Sequence, residues 1–317
     1  MITSQNILWV IRSAGERTVD ACKELIEASV PSDHVVLINE RPFSAALKKS
    51  FQLCTDSTFE WSIHIDADVL ISMKGCEELI AKVNQVDTTV FSVQGVTIDK
   101  FIPIYRTAGN GMYRNKVLKQ ALSLIPNDGE ALRPEGELID RMLKKGYQKL
   151  RTNNIVGVHD YEQYYRDIYR KVFLHSKKHL NVLGMASNYW LDNATMDRDY
   201  TIALLASRVA KYYEGPLFLT PGFQKEEIEV LFHLNDIQEK GPLPKNSFSK
   251  KNVSTIVENF TANQDLQQKK YPEYYTAEFL MTLKSASTRT RSALLTSIGS
   301  ELKRSGKKLI HKGKLDN

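Results

Sequence analysis

Residues 63–70 read Ile-His-Ile-Asp-Ala-Asp-Val-Leu, so an apolar strand runs directly into two carboxylates two positions apart. In an extended backbone, residues i and i+2 point to the same side, which predicts that Asp66 and Asp68 face one cation. Carboxylate oxygens suit Mg²⁺ or Mn²⁺, and these ions also bind phosphate. An exposed strand end would explain the tripeptide alone equally well. The apolar residues on both sides instead predict buried charges that need a partner.

Outward from this stretch, short apolar strands alternate with amphipathic helices. Strands are predicted over residues 7–11, 34–39, 61–69 and 88–95, and helices over 18–29, 43–53 and 74–86. This alternation is typical of an α/β domain with a mainly parallel central sheet. Ligands of such sheets bind at the carboxyl ends of the strands, where the two aspartates lie.

The second half of the chain changes from this pattern to helices. Helices are predicted over residues 116–123 and 137–145, the latter ending at Gly146, and a further apolar strand, 156–158, ends in His159-Asp160. Beyond Tyr161 apolar residues recur at helical spacing, and Thr220-Pro221 resembles the start of a helix that continues to Ile237. We therefore expect a C-terminal helical annex.

Composition and charge narrow the class of protein. The 317 residues are 42% hydrophobic and 25% charged, which is enough for a full core. A formal charge of +6 favours anionic partners such as nucleotide diphosphates, acidic lipid headgroups or nucleic acid. Three cysteines form no CxxC pair, which argues against a zinc knuckle or a disulfide framework and favours a reducing compartment. No signal-peptide pattern or apolar run of membrane-spanning length is found, so we expect a cytoplasmic protein.

The segment Ile65-Asp66-Ala67-Asp68 resembles the Asp-x-Asp strand end of the family 2 glycosyltransferases and their relatives with the glycosyltransferase A fold. The resemblance implies that Asp68 ligates a metal ion directly and that Asp66 contacts the ribose or the metal. The first strand and turn, residues 11–18, occupy the place where such enzymes bind the nucleotide, although the amino acids at these positions differ from the common family pattern. The donor-binding residues implied by the resemblance are Arg12, Ser13, Glu16, Asp66, Ala67, Gly109 and Gly111.

A second match to the family covers residues 134–147, where two acidic residues precede Leu138, Arg141 and Gly146-Tyr147. The resemblance implies that Glu135 is the catalytic base, with Glu137 as the alternative. Pro134 replaces the family's first acidic residue and Glu135 replaces its usual aspartate, so the choice between the two glutamates stays open. Both would also be explained as acidic residues that complement the dipole of the helix.

Two further segments resemble the family. His159 stands where many of these enzymes have a histidine ligand to the metal, although a partly buried polar histidine is the ordinary alternative. Gly109 and Gly111 lie in residues 107–114, which resemble the glycine-containing segment that lines the donor-sugar and acceptor site. A plain turn before the helix at Lys116 is the alternative there.

The resemblance implies a metal-dependent hexosyltransferase that carries a sugar from a nucleotide-sugar donor to a hydroxyl acceptor. It implies inversion at the anomeric carbon, and retention stays open because the base is assigned only by its motif. The acceptor class typical of the family is a glycan or glycolipid of a cell-surface polysaccharide. Residues 1–175 would form the catalytic domain, with the nucleotide-binding half at 1–96 and the acceptor half at 97–175, followed by a helical region at 176–317. Residues 285–315 could form a basic amphipathic helix on an anionic membrane or remain a solvated tail.

Two other classes of protein stay open at this point. A metal-dependent nucleotidyltransferase also uses paired aspartates, but no glycine-rich, lysine-bearing loop follows the first strand. A non-catalytic module that binds membranes or nucleic acid would use the positive charge. Nucleic acid is not expected, because no stripe of aromatic and basic residues typical of a single-strand binder appears.

Overall fold

The computed structural model describes residues 1–102, 104–131, 133–178, 180–217 and 224–270. Within these ranges the chain builds one eight-stranded sheet in the order β2-β1-β3-β7-β5-β8-β4, with β6 paired to β5. The strands are β1 (Leu8–Arg12), β2 (Val35–Ile38), β3 (Trp61–Asp66), β4 (Val69–Ile71), β5 (Val90–Asp99), β6 (Tyr105–Arg106), β7 (Asn110–Arg114) and β8 (Gln148–His159).

Helices cover both faces of this sheet, because its strands are apolar on both sides. The helices of the α/β part are α1 (Val19–Glu27), α2 (Phe43–Thr55), α3 (Met73–Val83), α4 (Asn115–Leu122) and α5 (Pro134–Lys144). Trp9 and Ile11 of β1 pack in the core with α1 and α3, whereas Leu8 and Val10 pack in the core with α2, α4 and α5. The expected α/β class is therefore confirmed.

The sheet is mixed, whereas the sequence predicted a mainly parallel one. The pairs β1–β2, β1–β3 and β5–β8 are parallel, as expected for the first half. Pairs β3–β7, β5–β7, β5–β6 and β4–β8 are antiparallel. Two of these antiparallel pairs arise from β7, which lies between β3 and β5 and runs against both. Its residues include Gly111, and the sequence pattern there indicated a turn.

The predicted strand over residues 61–69 is also divided. It ends at Asp66, Ala67 and Asp68 form a turn, and Val69 begins β4, which pairs with β8 instead of continuing beside β1. The Asp-x-Asp pair thus lies at a break between two strands. We expected Asp66 and Asp68 to point to the same side because residues i and i+2 do so in one extended strand. The break between the strands removes that reason.

In the part of the chain that the structure describes, five helices follow the sheet: α6 (Tyr165–Lys178), α7 (Leu180–Asn193), α8 (Arg198–Tyr212), α9 (Lys225–Leu234) and α10 (Lys250–Lys270). Residues of α6 to α9 form a second core with Phe101, Ile102 and Ile104. Val253 of α10 instead packs in the core under the sheet. The predicted boundary after residue 175 falls within α6, and the domain division stays a prediction.

Two predicted features lie outside the described residues: the helix start at Thr220-Pro221 and the basic tail over residues 285–315. Among the residues that are described, no helix combines the length and apolar character that crossing a membrane requires.

Candidate active site

Polar residues collect where β1, β3, β5 and β8 end, at one edge of the sheet. Arg12 of β1 is in register with Asp66 of β3, and Asp99 of β5 is in register with His159 of β8. Each pair terminates two parallel strands, so the four side chains stand at the carboxyl edge. Ligands of open α/β sheets bind at this edge.

Arg12 joins two acidic residues from distant parts of the chain. Its Nε donates to Oδ1 of Asp66 at 2.8 Å, and its Nη1 donates to Oε1 of Glu135 at 2.7 Å. The hydroxyl of Tyr113 donates to the same Glu135 oxygen at 2.8 Å. The guanidinium also lies over the ring of Phe43, 5.0 Å from its centroid. Arg12 therefore fixes the first turn of α5 against the end of β3.

The two carboxylates on Arg12 differ in their electrostatics. Burial raises the pKa of Asp66 to about 6; Arg12 opposes this shift, and nearby Asp68 and Glu135 add to it. Burial also opposes ionisation of Glu135, but the charge and hydrogen bond of Arg12 prevail, so the pKa of Glu135 is lowered. Glu135 is thus held as a carboxylate, and its side chain is 24% exposed.

A cleft of about 440 Å³ opens beside this group, at the ends of β1 and β2. Ser13, Ala14 and Gly15 form one wall, and the rest of the lining comes from Val19, Asp20, Leu37, Asn39 and Arg41. Glu16 accepts hydrogen bonds from the Ser13 hydroxyl at 2.9 Å and the Ala14 amide at 2.7 Å, which fixes the turn. The cleft offers apolar surface and side-chain polar groups to a ligand.

A separate group of possible metal ligands lies at the end of β8. One ligand atom from each of Asp68, His159 and Asp160 lies within 4.8 Å of the others. Oδ1 of Asp68 is buried with no hydrogen-bond partner among the described residues, and Nε2 of His159 is 3.6 Å from it. A buried carboxylate oxygen without a partner is costly, so it fits a cation. Two carboxylates and an imidazole are a donor set that Mn²⁺ accepts.

The orientation of His159 is set from two sides. Its Nδ1 lies 2.9 Å from Oδ2 of Asp160 and 3.5 Å from Oδ2 of Asp99, which leaves Nε2 toward Asp68. Burial opposes protonation of the ring, but Asp160 and Asp68 outweigh it, so the pKa of His159 is raised well above its ordinary value. Asp160 has a left-handed backbone, with φ of 59°, which aspartate tolerates better than most residues.

Gly109 leaves room for this histidine. Its φ is +65°, and a Cβ there would lie 2.5 Å from Cγ2 of Val69 and 2.9 Å from Cδ2 of His159. Its carbonyl oxygen accepts a hydrogen bond from the amide of Asp66 at 2.9 Å. Glycine is therefore required here by close packing as well as by backbone conformation.

A lysine from the helical region completes the group. Nζ of Lys171, on α6, lies 2.6 Å from Oδ2 of Asp68 and also contacts Oδ1 of Asp160. The side chain is 22% exposed. The ammonium group thus already compensates one oxygen of each aspartate.

The remaining predicted residues are distributed as follows. Asp66 bonds Arg12 and is not a member of the three-residue group, so the structure separates the contacts of Asp66 and Asp68. Glu137 pairs with Arg141 on its own helix at 2.8 Å, away from Arg12. Ala67 is buried, and its amide donates to the Arg12 carbonyl at 2.9 Å. Gly111 is in register with His64 inside the sheet.

Three residues of the site were not predicted from the sequence: Asp160, Lys171 and Tyr113. Asp160 follows His159 directly, so the His-Asp pair at a strand end was the available signal. Lys171 lies between Ile168 and Val172, two apolar positions of a predicted helix. The one available signal was that a lysine next to the buried side of a helix needs a partner for its charge. Nothing in the pattern around Tyr113 indicates its contact with Glu135.

No family model matches this chain, and no curated protein matches its sequence. Among solved structures, a mannosyltransferase from Pyrobaculum calidifontis in complex with GDP-Man and Mn²⁺ is 13% identical, covering 74% of this chain and 83% of its own, with a TM-score of 0.40. A glycosyltransferase involved in the glycosylation of the major capsid of PBCV-1 is 15% identical, covering 50% of this chain and 94% of its own, with a TM-score of 0.36.

A third similar structure belongs to another class of enzyme. The 4-diphosphocytidyl-2C-methyl-D-erythritol synthase from Anaerococcus prevotii is 9% identical, covering 48% of this chain and 92% of its own, with a TM-score of 0.37. These similar structures therefore include two glycosyltransferases and one enzyme of another class.

Proposed function

We propose that this chain is a glycosyltransferase of the glycosyltransferase A type, which moves a sugar from a nucleotide-sugar donor to an acceptor hydroxyl with a divalent cation at the site. The observation that carries the proposal is that Arg12 holds Asp66 and Glu135 together at one end of the sheet. This pair lies beside a cleft at the ends of β1 and β2 and near the Asp68, His159 and Asp160 group.

In this proposal the cleft holds the nucleoside. Leu37 and Val19 offer apolar surface to a base, and Asn39 and Asp20 offer hydrogen-bonding groups to the base or the ribose. Asp66 has a side chain 27% exposed with one oxygen bound by Arg12, which leaves the carboxylate accessible to a ribose hydroxyl. Arg12 and the turn formed by Ser13 and Glu16 keep this surface in place.

Asp68, His159 and Asp160 would hold Mn²⁺ or Mg²⁺, and Asp66 would contribute to the same site if its carboxylate turned toward them. The chemistry that a cation would supply there is stabilisation of the negative charge on the leaving diphosphate. Oδ1 of Asp68, which lacks a hydrogen-bond partner among the described residues, and the neighbouring Nε2 of His159 would hold the ion.

Glu135 is the base in this proposal. The hydrogen bonds from Arg12 and Tyr113 both go to Oε1, and the side chain is 24% exposed, so we assign Oε2 to the acceptor hydroxyl. Taking the proton at Oε2 while the acceptor oxygen attacks the anomeric carbon would give inversion in a single displacement. Glu137 is engaged by Arg141 and is the less suitable of the two.

The acceptor is proposed from the resemblance alone, as a glycan or glycolipid of a cell-surface polysaccharide. The cytoplasmic location is proposed from the cysteine pattern, and contact of the basic tail with an anionic membrane is proposed from its mixture of basic and apolar residues. The protein would then act on the inner face of that membrane.

Thermal unfolding with nucleotides tests the reaction class. UDP, GDP, CDP and ADP would be compared with and without Mn²⁺, on wild type, on Asp68→Asn, and on Asp56→Asn as a control for loss of an exposed carboxylate. We expect one diphosphate to raise Tm only when Mn²⁺ is present, in wild type and Asp56→Asn but not in Asp68→Asn.

Two other results of the thermal-unfolding test would point away from a glycosyltransferase. Stabilisation by a nucleoside triphosphate, with release of pyrophosphate, would indicate a nucleotidyltransferase. Absence of any metal-dependent response to all four diphosphates would contradict the proposal.

A further inference from the structure

Lys171 occupies the place where a cation bound to Asp68 and Asp160 would be expected. Its Nζ lies 2.6 Å from Oδ2 of Asp68 and contacts Oδ1 of Asp160, so one ammonium group bridges the two carboxylates. Among the described residues, the other group within ion-pair distance of these two aspartates is His159. Lys171 is therefore the principal counter-ion of Asp68 and Asp160 in the structure.

A divalent cation and this ammonium group cannot share the two carboxylates. Like charges a few ångströms apart in a partly buried site repel strongly, because water screens them poorly there. A metal that binds Asp68 and Asp160 would therefore have to displace Nζ of Lys171. Its departure would free Oδ2 of Asp68 and Oδ1 of Asp160 as ligands in addition to Oδ1 of Asp68 and Nε2 of His159.

The displacement can occur without moving the helix. Ile168 and Val172, which flank Lys171 on α6, are 1% and 4% exposed and anchor the backbone in the helical core. The lysine stem has four flexible carbons and its side chain is 22% exposed, so the ammonium group can swing while the helix stays in place. A freed ammonium on this short tether remains beside the metal site, where a metal-bound diphosphate would carry negative charge.

We infer that Lys171 alternates between two partners: it neutralises Asp68 and Asp160 until a divalent cation displaces it, and it then binds the diphosphate of the nucleotide donor. This inference rests on the proposed function, since it assumes that the metal and the diphosphate meet at this site. It makes Lys171 a competitor of the metal and a ligand of the donor at once.

The test uses two binding measurements on Lys171→Met, with Lys171→Arg to retain the charge and Lys225→Met as a control for an exposed lysine, 73% exposed on α9. Isothermal titration first gives the Kd for Mn²⁺ without nucleotide. We expect Lys171→Met to bind Mn²⁺ about tenfold or more tightly than wild type, because no ion pair has to be broken. A second titration gives the Kd for UDP and for GDP at saturating Mn²⁺, and there Lys171→Met should bind about tenfold more weakly.

Opposite shifts in the two affinities would not arise from general damage to the fold, which would weaken both. Should Lys171→Met fail to fold, Lys171→Gln keeps hydrogen-bond donors for the carboxylates and the same two shifts are expected. An unchanged or weaker Mn²⁺ affinity in the uncharged variant overturns the inference, and so does tighter Mn²⁺ binding with unaltered diphosphate binding. Failure of the proposed function is distinguishable, because wild type itself would then bind no diphosphate with Mn²⁺.

Discussion

Arg12 and Glu135 are 123 positions apart in the sequence, yet Nη1 of Arg12 donates a hydrogen bond of 2.7 Å to Oε1 of Glu135. The same guanidinium binds Asp66, so one buried cation connects the end of β3 to the first turn of α5. We predict that Arg12→Gln destabilises the protein by roughly 3 to 5 kcal/mol, because two partly buried carboxylates lose their partner. Urea unfolding at neutral pH measures this. A loss below about 1 kcal/mol, as for an exposed pair, would contradict the prediction.

Mutation should show which of the two glutamates, Glu135 or Glu137, is the catalytic base. Glu135→Gln removes the carboxylate that Arg12 and Tyr113 orient, and we expect kcat to fall by about 100-fold or more while the donor KM changes little. Glu137→Gln is the matched control. It loses only an ion pair with Arg141 on the helix surface, so stability should change by about 0.5 kcal/mol and kcat by little. The reverse ranking of the two kcat values would transfer the role of base to Glu137.

Gly109 offers a test of the histidine position. Gly109→Ala would place Cβ 2.9 Å from Cδ2 of His159 and 2.5 Å from Val69 at a φ of +65°. We predict weaker Mn²⁺ binding, by about tenfold, together with lower stability. Gly129→Ala is the control, because its φ is +80° but a Cβ there meets nothing within 4 Å. If both variants bind Mn²⁺ like wild type, His159 does not depend on the space at Gly109.

His64 should give the protein a measurable sensitivity to acid. It is fully buried, with Ser62 Oγ 3.0 Å and Cys54 Sγ 3.4 Å from Nε2, and burial, reinforced by the charge of Arg12, lowers its pKa from 6.5 to about 3. The unfolded chain therefore binds a proton at this histidine from pH 6.5 downward, whereas the folded protein does not until about pH 3. Stability from this group falls over that window, by roughly 4 kcal/mol at its acid end.

The variant His64→Gln has no side chain that binds this proton in the unfolded chain. Its unfolding free energy should therefore fall less between pH 7 and pH 4 than that of wild type. His233→Gln, on the exposed face of α9, is the control and should retain the wild-type slope. Identical slopes in all three proteins would show that His64 does not titrate in this way.

The sequence predicted the elements whose pattern is local and strong. Strands such as β1 and helices such as α1 and α2 begin and end within a few residues of the expected positions. The strand β7 could not be predicted this way, because Asn110 and Gly111 favour turns locally. It is stabilised by tertiary contacts, including the hydrogen bond from the Gly95 amide to Oδ1 of Asn110 at 2.9 Å.

The candidate site was predicted in part for a related reason. Asp68, His159 and Glu135 stand at strand ends or a helix start, positions that the pattern of elements reveals. Asp66 and Asp68 were expected to point the same way, but the break between β3 and β4 gives them different partners. Lys171 comes from a helix more than 100 positions away from Asp68, so its contact depends on the packing of α6, which no local pattern encodes.

The most direct test of the account is hydrolysis of nucleotide sugars by wild type and Asp68→Asn, each with and without Mn²⁺, because transferases of this kind slowly pass sugar to water. UDP-, GDP-, CDP- and dTDP-linked sugars would be screened for release of the nucleoside diphosphate. We predict that wild type releases one diphosphate only with Mn²⁺ and that Asp68→Asn releases none. Release that is independent of Mn²⁺ and unchanged in Asp68→Asn would contradict it.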